Sequence, residues 1–143
     1  MTRIAAILIS TLVGAMVLSG CGGGSAYCEA VEKDQKSLNT FGDKRSNAAY
    51  ASYAKVLDGI AKDAPKAIAK DWTALADVTK GVIAAQKAVD LKLEEMTDAA
   101  KVKKLSEAQL KQLNTAYQAF NGTKEQRNAV VKNVKQKCKI TLK

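Results

Sequence analysis

Apolar residues recur along this chain at spacings of three and four rather than two, and that period predicts helices. From Tyr27 on, Cys28, Val31 and Leu38, with Gln35 completing the spacing, mark one helix face, and Asn39-Thr40-Phe41-Gly42-Asp43 supplies turn chemistry to end it. Ser46 or Asn47 can cap a second helix, with Tyr50, Tyr53, Leu57, Ile60 and Ala64 on its apolar stripe and Lys55, Asp58 and Lys62 on its wet face. Pro65 suits the start of a third, because its missing N–H would have no helical partner there. From Ile68 through Trp72, Leu75, Thr79 and Val82, and on through Gln86, Val89, Leu93 and Met96 to Ala100, the alternation is unbroken, a heptad seam across roughly 33 residues. A break is still expected between Asp90 and Thr97, where acidic residues gather and Thr97-Asp98 has the chemistry of a new N-terminus.

Ser106-Glu107-Ala108-Gln109 has capping-box spacing, and Leu110, Leu113, Tyr117 and Phe120 form the next predicted buried stripe, closed by Asn121-Gly122. Thr123-Lys124-Glu125-Gln126 repeats the capping pattern and opens a last helix with Val131, Val134 and Cys138 on one face. No run alternates β-branched and polar residues as a strand would. The expected fold of residues 27–143 is therefore all-α, an antiparallel bundle of four to five helices.

The first twenty residues follow another pattern. Arg3 is a short cationic start, and Ile4 to Leu18 is an apolar run of about fifteen residues, a signal-peptide core too short to span a bilayer comfortably. It ends in Leu18-Ser19-Gly20-Cys21, which resembles, position for position, the lipobox of bacterial lipoproteins: an aliphatic residue, a small residue, Gly or Ala, then Cys. The resemblance implies that residues 1–20 are removed, that the Cys21 thiol carries a diacylglyceryl group, and that the protein is held on the extracytoplasmic face of the cell membrane. Two acyl chains suffice for stable attachment where one is marginal. After Cys21, Gly22-Gly23-Gly24-Ser25-Ala26 reads as a flexible tether, so residues 21–26 form a link with an extended reach of about 17 Å.

Charge adds a direction. Without residues 1–20 the chain keeps 22 basic and 14 acidic side chains, and most of the imbalance is local. Residues 101–143 hold 11 basic and 2 acidic groups on an otherwise nearly neutral body. For an exported protein the expected counter-charges are anionic lipid headgroups or wall polymers rather than nucleic acid, the plainer alternative being that lysines keep helix surfaces soluble. With Cys21 lipidated, Cys28 and Cys138 remain, at the start of the first predicted helix and the end of the last. An oxidising compartment favours their pairing. Reduced core thiols are the alternative, and no Cys-x-x-Cys spacing supports a redox or metal role. A disulfide would hold Lys132, Lys135, Lys137, Lys139 and Lys143 near the tether, where they are expected to contact an anionic surface.

Ala64-Pro65, Ile68, Asp71 and Trp72, the early Tyr27-Cys28, and Val131, Val134, Cys138 and Ile140 together resemble small secreted helical proteins and lipoproteins of actinobacteria. That resemblance implies the bundle and the cysteine pair and no particular activity. The sequence contains no His, which excludes Ser-His-Asp and Cys-His catalysis and the usual zinc and di-iron helix motifs. Glu94, Glu95 and Asp98 read as a solvated acidic patch, Gly22-Gly23-Gly24 lacks the rest of a phosphate loop, and Trp72, Tyr50, Tyr53, Tyr117 and Phe120 lie on predicted core stripes. No cofactor or metal is expected. These features point to a non-enzymatic envelope lipoprotein that binds a macromolecule or shields the surface. The alternative is a small-molecule binding protein serving a transporter or sensor, which would need a pocket among Trp72, Tyr50, Tyr53 and Tyr117.

Overall fold

A computed structural model describes residues 25–143; the expected signal-peptide run, the lipobox-like residues with Cys21, and Gly22 to Gly24 lie outside the described residues. Within them the chain is all-α: α1 (Ala26–Asn39), α2 (Asn47–Asp63), α3 (Lys66–Ala88), a single-turn α4 (Ala99–Val102), α5 (Glu107–Asn121) and α6 (Lys124–Cys138). A 3-10 turn at Leu93–Glu95 precedes α4, and no strand occurs among the described residues. None of the described helices is long and apolar enough to cross a membrane.

Side-chain caps place most of the helix starts. Ser25 accepts the Cys28 N–H, so Ser25 and Ala26 belong to α1 rather than to the tether, because a Ser before an apolar turn satisfies a backbone donor that a coil would leave to water. Ser46 caps α2, Asp98 caps α4, and Ser106 with Gln109 completes a reciprocal capping box on α5. Thr123 does not repeat that box. Its backbone stays near the helical region, and its hydroxyl donates back to the Phe120 carbonyl at 2.7 Å, so α6 follows α5 through a tight corner at Gly122.

The long seam does break, at Ala88. Asp90 adopts φ +49°, its N–H donates to the Lys87 carbonyl, and the Leu91 N–H donates to that of Gln86. This is a Schellman closure with Asp in the left-handed position, and Leu91 then buries against Ala85 and Val89. Beyond it the seam lapses by steps: Leu93 is buried, Met96 half-buried and Ala100 exposed.

α3 is the central helix, with α2 on one side and α5 and α6 following one another down the other. Gln86 near the end of α3 meets Tyr117 of α5, while Trp72 near its start shares Tyr27 with Asn133 of α6, so the α5–α6 column runs antiparallel to α3. The lower half of the bundle is cored by Val31, Leu57, Ile60, Trp72, Leu75 and Val134. Ala85, Val89, Leu91 and Leu113 core the upper half, with Tyr50, Val82 and Leu93 beside them. The core clusters of the described residues lie between Tyr27 and Leu142, and a chain of this length can bury enough surface to fold by itself.

Two predicted core positions move. Leu110 is 41% exposed, whereas Leu113, the next residue on its stripe, is buried. In α6 Val130 is buried and Val131 only half so, because α6 turns Val130 and Val134 toward Trp72 and Ile68.

Candidate functional site

The two ends of the bundle carry different chemistry. At the lower end Cys28 and Cys138 are joined, with Cα atoms 5.2 Å apart, so the end of α6 lies beside the start of α1. Tyr27 is buried next to this bond, accepting the Trp72 indole N–H at 3.2 Å and donating to Asn133 Oδ1 at 3.1 Å. Nothing in the sequence marks Tyr27 for this role. A ring with one polar tip gives no signal of which helix it will bridge.

The five lysines of the basic segment are exposed, and none forms a salt bridge; those present join Lys80 to Asp58 and Asp77, and Lys101 to Glu95. They do not all share one surface. Lys132 and Lys135 fall on one face of α6, three apart, whereas Lys137 lies about 200° round the helix from Lys135 and Lys139 lies just past the helix end. Lys139, at φ +60°, reverses the chain and closes α6 by donating to the Gln136 carbonyl. The tail then runs back along α1: Gln35 donates to the Thr141 carbonyl, Leu142 is buried, and the Lys143 N–H donates to Asn39 Oδ1 at 2.8 Å. Lys143 is therefore about 16 Å from the Cys28 level by helical rise, at the opposite end of α1, and is not held near the tether. Exposed Lys62 and Lys66, at the junction of α2 and α3, occupy the lower end instead.

At the upper end five of the seven aromatic residues converge. Phe41 stacks on Tyr53 with centroids 3.6 Å apart, and lies 4.9 Å from Tyr50 and 5.8 Å from Phe120. Tyr50, Phe120 and Phe41 are mutually tilted by 37° to 55°, so they wall a concave surface instead of forming a flat stack. With Tyr117, Leu93 and Met96 they line a cleft of about 610 Å³ whose rim includes Arg45 and Glu94. Trp72 is 1% exposed in the lower core and has no part in this cleft, and Tyr53 stacks behind Phe41 without lining it.

Backbone and side-chain bonds fix the cleft walls. Asn47 accepts the Leu93 N–H while its own N–H donates to Glu94 Oε2, clamping the 3-10 turn to the start of α2. A hydrogen bond from its own backbone N–H, with the one from the Asn47 N–H, holds the Glu94 carboxyl below its usual range. Burial pushes the Tyr50 and Tyr117 hydroxyls up, against the nearby Arg45 charge, and lifts Tyr53 to about 12, so all three are neutral donors at physiological pH. Behind Tyr117, fully buried Gln86 donates from Nε2 to the Tyr117 oxygen at 2.6 Å, and Gln86 Oε1 has no partner. Among the described residues no group of three Cys, Asp or Glu side chains converges to hold a metal ion.

Comparison with protein-family models, with curated proteins and with solved structures finds no match, so the functional reading stands on residues and geometry.

Proposed function

We propose that this chain is a non-enzymatic envelope lipoprotein, anchored through a diacylglyceryl group at Cys21 on the extracytoplasmic face of the cell membrane, with its basic lower end against the bilayer. The observation that carries the reading is the joining of α6 to the start of α1 through Cys28, seven residues after the Cys21 that ends the lipobox-like Leu18-Ser19-Gly20-Cys21. Ser25 opens α1, so no more than three glycines separate the lipid from the folded domain. Lys132, Lys135 and Lys139, joined by Lys62 and Lys66, then face anionic headgroups, each contributing on the order of 1 kcal/mol at moderate salt. Wall polymers of like charge are the competing counter-surface.

The test has two arms. Cys21→Ser is expected to abolish detergent-phase partitioning of the full chain. Residues 22–143 are expected to cosediment with phosphatidylglycerol vesicles at low salt and not with phosphatidylcholine, and Lys132, Lys135 and Lys139 to Glu together should weaken that binding more than about tenfold. Retained partitioning would remove the anchor, and equal sedimentation with both lipids would remove the docking face. A second reading, small-molecule binding in service of a transporter or sensor, is favoured by the aromatic cleft, and the two are compatible because anchoring at the lower end turns the upper end outward.

A further inference from the structure

We infer that the upper cleft is a binding site for a small planar aromatic molecule bearing a single anionic group, its ring held by Phe41, Tyr50 and Phe120 and its anion by Arg45 with the Tyr117 hydroxyl. This rests on the small-molecule reading of the cleft and is independent of the anchor. The volume, about 610 Å³, falls within the range of ordinary ligand pockets and suits a molecule of two or three fused or linked rings. Phe41, Tyr50 and Phe120 pack against one another at 37° to 55°, so the cleft they border meets ring edges as well as faces, a geometry in which another ring gains from quadrupole contacts. Met96 adds a polarizable sulfur to the lining, which favours an aromatic guest over a saturated chain.

The polar groups select the charge. Arg45 forms neither a salt bridge nor a side-chain hydrogen bond among the described residues, leaving a full set of guanidinium donors on the rim. The Tyr117 oxygen already accepts from Gln86, so its own proton is free for an acceptor in the cleft. Gln86 has no solvent exposure and an unsatisfied carbonyl oxygen, an arrangement that packing does not call for and that serves to set the Tyr117 rotor. Glu94, held ionised on the same rim, disfavours a second anionic group. Gln86 is a positioning residue, and Arg45 and Tyr117 are the contacts.

The probes are 8-anilino-1-naphthalenesulfonate and its uncharged counterpart N-phenyl-1-naphthylamine, titrated by fluorescence into residues 22–143. The anion should bind one to one with Kd on the order of tens of micromolar, and the neutral probe about tenfold more weakly. Arg45→Gln, an exposed substitution whose fold is checked by circular dichroism, should weaken the anion about tenfold and leave the neutral probe unchanged; Phe120→Ala should weaken both. Equal affinity for the two probes, or an anion affinity indifferent to Arg45→Gln, overturns the assignment of ligand class while keeping a small-molecule cleft. Failure of both probes to bind overturns the cleft reading itself, and leaves the partition and vesicle results untouched.

Discussion

Gln86 is the residue that packing alone would not have chosen. It sits on the α3 seam at full burial, between Val82 and Val89, and its carbonyl oxygen faces no donor. An unsatisfied buried acceptor costs about 1–3 kcal/mol, while the single bond to Tyr117 returns about 1 kcal/mol. Gln86→Met keeps the length and flexibility of the side chain and removes the polar atoms. It should therefore stabilise residues 22–143 by about 1 kcal/mol, a rise in melting temperature of about 3–5 °C by calorimetry. The same variant should loosen the anionic probe severalfold, because Tyr117 loses the partner that aims its proton. A variant less stable than the parent would mean that the Gln86–Tyr117 bond matters more to the fold than the orphaned oxygen harms it.

At the scale of the element, the decisive feature is the end of α3. The sequence seam runs past Ala88 without interruption, and nothing in its period announces a stop. What ends the helix is Asp90 in the left-handed region, which lets Leu91 turn back onto Ala85 and sends the chain across the top of α2 to form the cleft. Asp tolerates this conformation better than most residues yet still less well than Gly. Asp90→Gly should raise the unfolding free energy by about 0.5–1 kcal/mol in urea, with no change in the slope against denaturant. Destabilisation instead would show that the Asp90 side chain does more than occupy the position.

The whole molecule is closed by one covalent bond between helices 110 residues apart in sequence. In the chain-entropy view a loop of this length is worth up to roughly 4.7 kcal/mol, and native disulfides in small domains commonly give about 2–5 kcal/mol. Reduction, or Cys28→Ala with Cys138→Ala, should lower the melting temperature by about 10–20 °C while the helical circular dichroism at 25 °C persists. The reduced protein should also lose much of its salt-sensitive vesicle binding near its melting point, since α6 and its lysines then part from α1. An unchanged melting temperature on reduction would mean that the apolar clusters alone hold that end together.

Helix content, most helix starts and the cysteine pairing are legible in the sequence, because each depends on simple signals: a three-four period, a Ser or Asp just before it, and two thiols at the two extremes of the helical region. Tyr50, Tyr117 and Phe120 also read correctly as facing inward. What the period could not say is which inward faces meet. Phe41 read as a turn residue and Arg45 as nothing in particular, and only the α1–α2 loop folding over Phe120 and the Leu93 turn makes them the wall and rim of one cleft. Leu110 went astray for the same reason, since an apolar side chain at the right spacing is buried only where a neighbouring helix reaches it. Lys143 followed the disulfide in sequence yet not in space, because a left-handed Lys139 reversed the tail. Local periodicity specifies the helices and their sidedness; the turns between them, set by single residues in unusual backbone conformations, decide which chemistry is brought together.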